Sequence, residues 1–450
     1  MPQTDPLIAT HHKPPVAPVN SSTPNTHSLA RRFFGMAALD LGPLRRHRDF
    51  RLLFAGQSIS FFGSMMTTIA LPFQVYSLTH SPLAVGFIGV AQLIPLLIFA
   101  FIGGALADAF DRRLLVLITE LALAGSSGLL LFDALSPTPK LWPLYAIAAL
   151  AAGLDALQRP SLNALVPRLV ESEELPAANS LTAFRKTFGM ILGPALAGGI
   201  IAAVGLPGAY GIDMATFVVS LVALRLMRAV PPAPNAERPS LRGVIEGLRY
   251  VRGQPVLLGI FLLDMVAVFF GWPYALFPAL AVLYTRAGQT IPVATALGFL
   301  YAAPAVGALL ASLTSGWTRH VHRHGWAVIL AEAAWGVALV GVGLATSLPV
   351  ALGCLALVGV ADMFSGVFRH VVTTEMVPDA LRGRVSSIEL VAGTSGPLFG
   401  DVESGAVATV LSAPAAMLLG GALCAISVGA LALALPSLRR YDNRQLASKS

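Results

Sequence analysis

The feature that most limits what this chain can fold into is a succession of apolar stretches, each about as long as a bilayer is thick. A helix needs about 20 mostly apolar residues to cross the hydrocarbon core. Stretches of that kind run over 52–77, 83–106, 114–134, 141–159, 181–203 and 209–227, and again over 256–284, 293–315, 326–346, 350–368, 386–410 and 414–436. Pro72, Pro95, Pro194, Pro304 and Pro397 fall inside them. A membrane bundle tolerates such prolines, because neighbouring helices re-satisfy the freed backbone groups. Only 12% of residues are charged, about half the share of a soluble domain. So little polar surface cannot keep 450 residues in water, and lipid must cover much of the outside. The reading is an all-α integral membrane protein with twelve transmembrane helices.

Charge placement tests that count. With the N-terminus in the cytoplasm, every one of the 30 lysines and arginines except Lys140 and Arg286 falls nearest the inner side. A wrong number of spans would swap the sides downstream of the error and spoil this asymmetry, which the positive-inside rule demands. The net charge of +7 is spread singly between apolar runs, with no basic and aromatic platform for nucleic acid. Cys354 and Cys424 sit in apolar runs with neither metal-site nor disulfide spacing, and no cofactor is expected.

The organisation reads as a disordered cytoplasmic tail (1–44), a six-helix half (45–228), a cytoplasmic linker (229–255), a second six-helix half (256–437) and a short tail (438–450). The tail holds His11 and His12 but no apolar signal-peptide core, and the linker holds Pro231-Pro232-Ala233-Pro234. The halves repeat. Val166-Pro167 followed by Gly193-Pro194 in the first half recurs as Val377-Pro378 followed by Gly396-Pro397 in the second, and Asp155 and Asp362 occupy similar places. Two pseudo-symmetric halves suit alternating access, in which a site between them opens to each face in turn.

Gly104-Ala-Leu-Ala-Asp108-Ala-Phe-Asp111-Arg112-Arg113 resembles the cytoplasmic loop signature of the major facilitator superfamily, with Ala109 and Asp111 departing from it. Asp155-Ala-Leu-Gln-Arg-Pro160 through Pro167, Phe277-Pro-Ala-Leu280, Gly298-Phe-Leu-Tyr-Ala-Ala-Pro304 and Thr314-Ser-Gly316 are similar to the enterobactin-exporter and drug-efflux branch. The resemblance spans about residues 44–437. It implies the major facilitator fold and proton-driven export of siderophores, macrolides or similar amphipathic molecules. It also implies a conformational latch of Gly104, Asp108, Arg112 and Arg113.

Ionisable groups in a bilayer cost at least about 2.5–3.5 kcal/mol and need a reason. The candidates are Glu120, Asp155, Asp264, Glu332, Asp362, Glu389, Asp401 and Glu403. Asp155 and Arg159 share a helix face and form either a structural intramembrane pair or a proton-sensitive one. Asp401 and Glu403 point about 200° apart, so at most one easily faces a central cavity. Asp155, Asp401 and Glu403 are the proton-coupling candidates. Gly189, Gly193, Pro194 and Gly198 place small residues at helical spacing for close packing. Asp264, Trp272 and Tyr274 are candidates for lining a substrate cavity.

No Walker-type phosphate loop is present, so ATP does not drive the cycle. The partners expected are a small-molecule substrate, protons and the lipid bilayer. The leading reading is a proton-coupled exporter. A nutrient importer on the same fold is the alternative, and a membrane enzyme or receptor is the remote one.

Overall fold

The computed structural model describes residues 40–230, 248–286, 291–442 and 444, and among these it is helical throughout. Most of the expected N-terminal tail and of the linker, 1–39 and 231–247, lies outside the described residues. The helices are α1 (Arg48–Thr79), α2 (Pro82–Ala109), α3 (Arg112–Leu135) and α4 (Leu141–Leu169). Leu175–Leu226 then runs for 52 residues, broken at Gly205, whose φ of 73° and ψ of −178° are open to glycine and hardly to any other residue. We number its parts α5 (175–204) and α6 (206–226). After them come α7 (Pro255–Arg286), α8 (Val293–Leu313), α9 (His324–Leu344), α10 (Leu348–Met376), α11 (Asp379–Val410) and α12 (Ala413–Ala434).

Ten helices among the described residues are long and apolar enough to cross a membrane. The longest of them holds both α5 and α6, and α11 at 32 residues is long enough at 1.5 Å per residue. Twelve crossings are thereby accommodated.

Local chemistry sets several ends. Asp111, which departs from the loop signature, caps α3 by accepting from the amides of Arg113 at 2.8 Å and Leu114 at 3.2 Å. Arg113 reaches across to the C-terminal carbonyls of α6, donating to Leu224 at 2.6 Å and Arg225 at 2.8 Å. A cation is favourable at the negative end of a helix, so this residue ties the start of α3 to the end of α6. Arg112 is buried and donates to the Ala164 carbonyl. Gly104 and Asp108 lie on the last turns of α2, and their side chains fall outside the described residues.

The edges of both expected tails meet the bundle, and Leu44 of the first packs beside Phe50, Ala178 and Leu181. Gly42–Arg46 is a short helix, and Arg46 and the adjoining His47 meet Glu174 at 2.6 and 2.7 Å. At the other end Leu438 is buried against Gly259 and Gly325, and the Tyr441 hydroxyl donates to Glu375 at 2.8 Å. Burial, aided by the Glu375 carboxylate, raises the Tyr441 phenol above its ordinary range.

Within each half the helices pack closely, and two pairs join the halves: α2 with α11, and α5 with α8. The pairs are equivalent under the two-fold repeat. Both approach through glycines. A Cβ on Gly86 would strike the Asp401 carbonyl, one on Gly89 the Leu398 backbone, one on Gly198 the Ala294 carbonyl and one on Gly298 the Pro194 carbonyl. Helices in lipid gain little from further apolar burial and associate through such close approaches. We call the face bearing the arginine-rich connections the basic face and the opposite one the far face. These glycine approaches lie toward the far face.

Candidate functional site

Between the halves lies a cavity of about 430 Å³, lined by α1–α4 and α6 on one side and by α7, α8 and α11 on the other. Its floor is built by a break in α7. After Gly271 the chain passes through Trp272 and Pro273 into a 3-10 turn, Tyr274–Leu276, before helix resumes at Phe277. Pro273 cannot donate a backbone hydrogen bond and interrupts the ladder. The freed groups find partners: Trp335 donates to the Gly271 carbonyl at 3.0 Å, and the Ala275 amide donates to Asp401 Oδ1 at 2.8 Å. Non-helical backbone at this depth is tolerated because protein and cavity surround it.

Asp401 therefore occupies a junction. Its carboxylate caps the α7 break and lines the cavity, while its own carbonyl lies against Gly86 of the other half. Tyr274 and Tyr301 line the cavity beside it, stacked at 5.2 Å and 6°. Their flat faces suit an apolar or aromatic group.

The other half contributes Asp213 on α6, which sequence reasoning did not single out although it lies in the apolar run 209–227. Asp213 Oδ2 accepts from Thr67 at 2.5 Å and from Ser127 at 2.7 Å. Its Oδ1 is buried against Gly63 with no hydrogen-bond partner among the described residues. An acidic residue inside an apolar run was the signal available, the same one that marked the other carboxylates.

Asp155 and Arg159 form their pair at 2.6 Å. Both line the cavity, and side-chain exposures of 47% and 54% place them at its mouth toward the basic face. Glu403 is half-buried and does not line the cavity. Trp272 packs edge-on behind Tyr274 at 4.7 Å and is not in the lining. Asp264 lies apart, in a separate cavity of about 270 Å³ with Glu389 and His370, where it pairs with Arg369. Gly189 and Gly193 pack on Phe61 and Met65 of α1, whereas Gly198 meets the other half, as does the Pro194 carbonyl.

A buried carboxylate recurs in each half. Glu120 on α3 accepts from Gln57 at 2.7 Å, Gln158 at 3.0 Å and Ser60 at 3.3 Å. Glu332, at the same step along α9, accepts from Ser365, which sits on α10 where Gln158 sits on α4. Both glutamates are essentially fully buried. Glu120 ties α3 to α1 and α4, and Glu332 ties α9 to α10, a job for keeping each half rigid while the halves move. Glu120→Ala should lower stability by about 2–3 kcal/mol, since two buried amides lose their acceptor. Glu120→Gln should recover most of it, as thermal unfolding of the detergent-solubilised protein will show. An alanine variant that melts with the wild type would refute the assignment.

A family model described as transmembrane secretion effector matches residues 38–450. The enterobactin exporter EntS of Shigella boydii serotype 18 is 28% identical over 407 residues, covering 90% of this chain and 95% of that one, and EntS of Escherichia coli O1:K1 matches to the same extent. In fold, the nucleoside transporter NupG aligns with a TM-score of 0.73 at 12% identity, over 88% of this chain and all of the other. A bacterial homologue of the iron transporter ferroportin aligns with a TM-score of 0.64 at 17% identity, over 87% and 99%.

Proposed function

Because the chain belongs to the transmembrane secretion effector family of the major facilitator superfamily, we propose that it is a proton-coupled exporter of an amphipathic small molecule. It is a multi-pass membrane transporter and not an enzyme. The finer reading is that substrate enters the central cavity from the basic face, which is the cytoplasmic one, and leaves at the far face. A siderophore is the substrate class that the enterobactin exporter EntS supports, and a drug-like amphipathic molecule is the wider class that the sequence resemblance implies. The stacked tyrosines beside buried carboxylates suit a molecule with both an apolar ring and polar groups.

The observation that carries the proposal is the position of Asp401. Uphill transport without a nucleotide site needs an ion gradient, and a proton needs a carboxyl reachable in turn from each face. In a low-dielectric site an unpaired charge is costly and a neutral acid is not. Asp401 touches the cavity, the α7 break and the neighbouring half together. Gaining or losing a proton there alters the bond to Ala275 and the fit of α11 against α2, so protonation and the rocking of the halves are linked. Asp155 and Glu403 are the secondary candidates. Asp155 is held in its pair with Arg159 at the cavity mouth; Glu403 stands outside the cavity lining. Arg112 and Arg113 serve, with Asp108, as the latch that holds one state.

Orientation is tested with reporters. A fusion after Arg440 should report a cytoplasmic site, and one in the 285–292 loop an external site. The reverse at either position would overturn the orientation. Direction is tested in proteoliposomes of known sidedness. Accumulation toward the far face supports export, and accumulation toward the basic face would replace it with nutrient uptake.

A further inference from the structure

We propose that the groove at the basic-face ends of α9 and α12 is a headgroup site for an anionic phospholipid. A cavity of about 560 Å³ lies there, apart from the central one, lined by Arg323, Trp326, Pro436, Arg439, Arg440 and Asp442. Three guanidiniums face one carboxylate, and Asp442 already accepts from the Arg444 amide at 3.1 Å. Among the described residues none of the three arginines makes a salt bridge. Arg439 Nε is buried with no hydrogen-bond partner. Arg323 stands at the N-terminus of α9, a 21-residue helix, whose positive end adds to the field. The groove is a concentration of unspent donors suited to a phosphodiester.

Its surroundings favour a lipid over a soluble anion. Both helices are long and apolar enough to cross a bilayer, so the groove sits where α9 enters and α12 leaves it. Deeper along these helices the outward residues are apolar: Trp326, Leu330 and Val337 on α9, and Leu433, Ile426 and Leu419 on α12 are all exposed. They are spaced four or seven residues apart, which keeps each set on one helix face. Acyl chains fit along such stripes while the headgroup meets the arginines, and Trp326 stands at the level where aromatic side chains mark the membrane interface. Basic pockets between membrane helices are recognised headgroup sites.

Full-length protein purified in a neutral detergent and titrated with phosphatidylglycerol or with phosphatidylcholine of the same acyl chains, with native mass spectrometry as readout, tests this. Wild type should bind phosphatidylglycerol about tenfold more tightly, and Arg439→Gln alone should weaken that binding about fivefold. The variant carrying Arg323→Gln, Arg439→Gln and Arg440→Gln should lose the preference. Replacement of the same three by lysine should keep most of it, and replacement of the exposed Arg168, Arg228 and Arg252 by glutamine should keep all of it. Should the triple glutamine variant fail to fold, the single and lysine variants decide. An unchanged preference in Arg439→Gln, or an equal loss in the surface control, would overturn the site. So would inorganic phosphate raising the melting temperature of lipid-free protein as far as phosphatidylglycerol does, because the groove would then hold a free anion.

Discussion

Asp401→Asn should abolish accumulation of substrate against a gradient in proteoliposomes with an imposed pH difference, while downhill exchange continues at close to the wild-type rate. Asparagine keeps the Oδ1 acceptor for the Ala275 amide, whose bond to Asp401 spans 2.8 Å, so the α7 break stays capped and the fold is retained. What it removes is the ability to carry a proton. The pairing of lost pumping with kept exchange separates coupling from misfolding, since a damaged bundle would lose both. Glu403→Gln, outside the cavity lining, should affect uphill transport far less. An Asp401→Asn protein that still pumps at the normal rate would move the coupling site elsewhere, and Asp213 would then be the first carboxylate to test.

A second large effect is expected at the seam between the halves. A side chain on Gly198 would run into the Ala294 carbonyl, and one on Gly298 into the Pro194 carbonyl. Both obstacles are backbone, which cannot swing aside as a flexible side chain would. Overpacking of this kind costs about 1–3 kcal/mol, enough to change a two-state ratio about 5- to 150-fold. Gly198→Leu should therefore disfavour the state closed at the far face and cut transport by more than about tenfold. A cysteine at cavity-lining Thr68, in a Cys354→Ser background, should become more reactive toward an impermeant maleimide added at the far face. Normal turnover with unchanged labelling would show that the halves do not close through this seam. The equivalent seam on the other side, Gly86 and Gly89 against α11, should respond in the same way.

The legible part of the site was its chemistry rather than its arrangement. Five of the carboxylates flagged as costly in a bilayer have a polar partner in the structure. Glu120 and Glu332 bind donors on neighbouring helices, Asp155 holds Arg159, Asp264 holds Arg369, and Asp401 caps a broken helix. Which of them would meet across the bundle was not legible. Asp264 and Arg369 lie 105 residues apart in the chain, and no local spacing relates them. The docked residues Leu438 and Tyr441 read as tail for a similar reason: a short polar segment after the last apolar run carries no sign of the surface it will meet.

Membrane insertion and the repeat were written in the sequence itself, because apolar length, arginine placement and recurring Gly-Pro and Val-Pro pairs act one segment at a time and need no knowledge of neighbours. The direction in which each side chain points had to await the tertiary structure. One residue along a helix turns the side chain by about 100°, so the rotation of each helix against its neighbours decides what reaches the cavity. Rotation brought Asp213 and Asp401 into the lining from opposite halves and left Asp264 and Trp272 outside it. That rotation is set by glycines meeting backbone on distant helices, a contact that exists only once the bundle has formed.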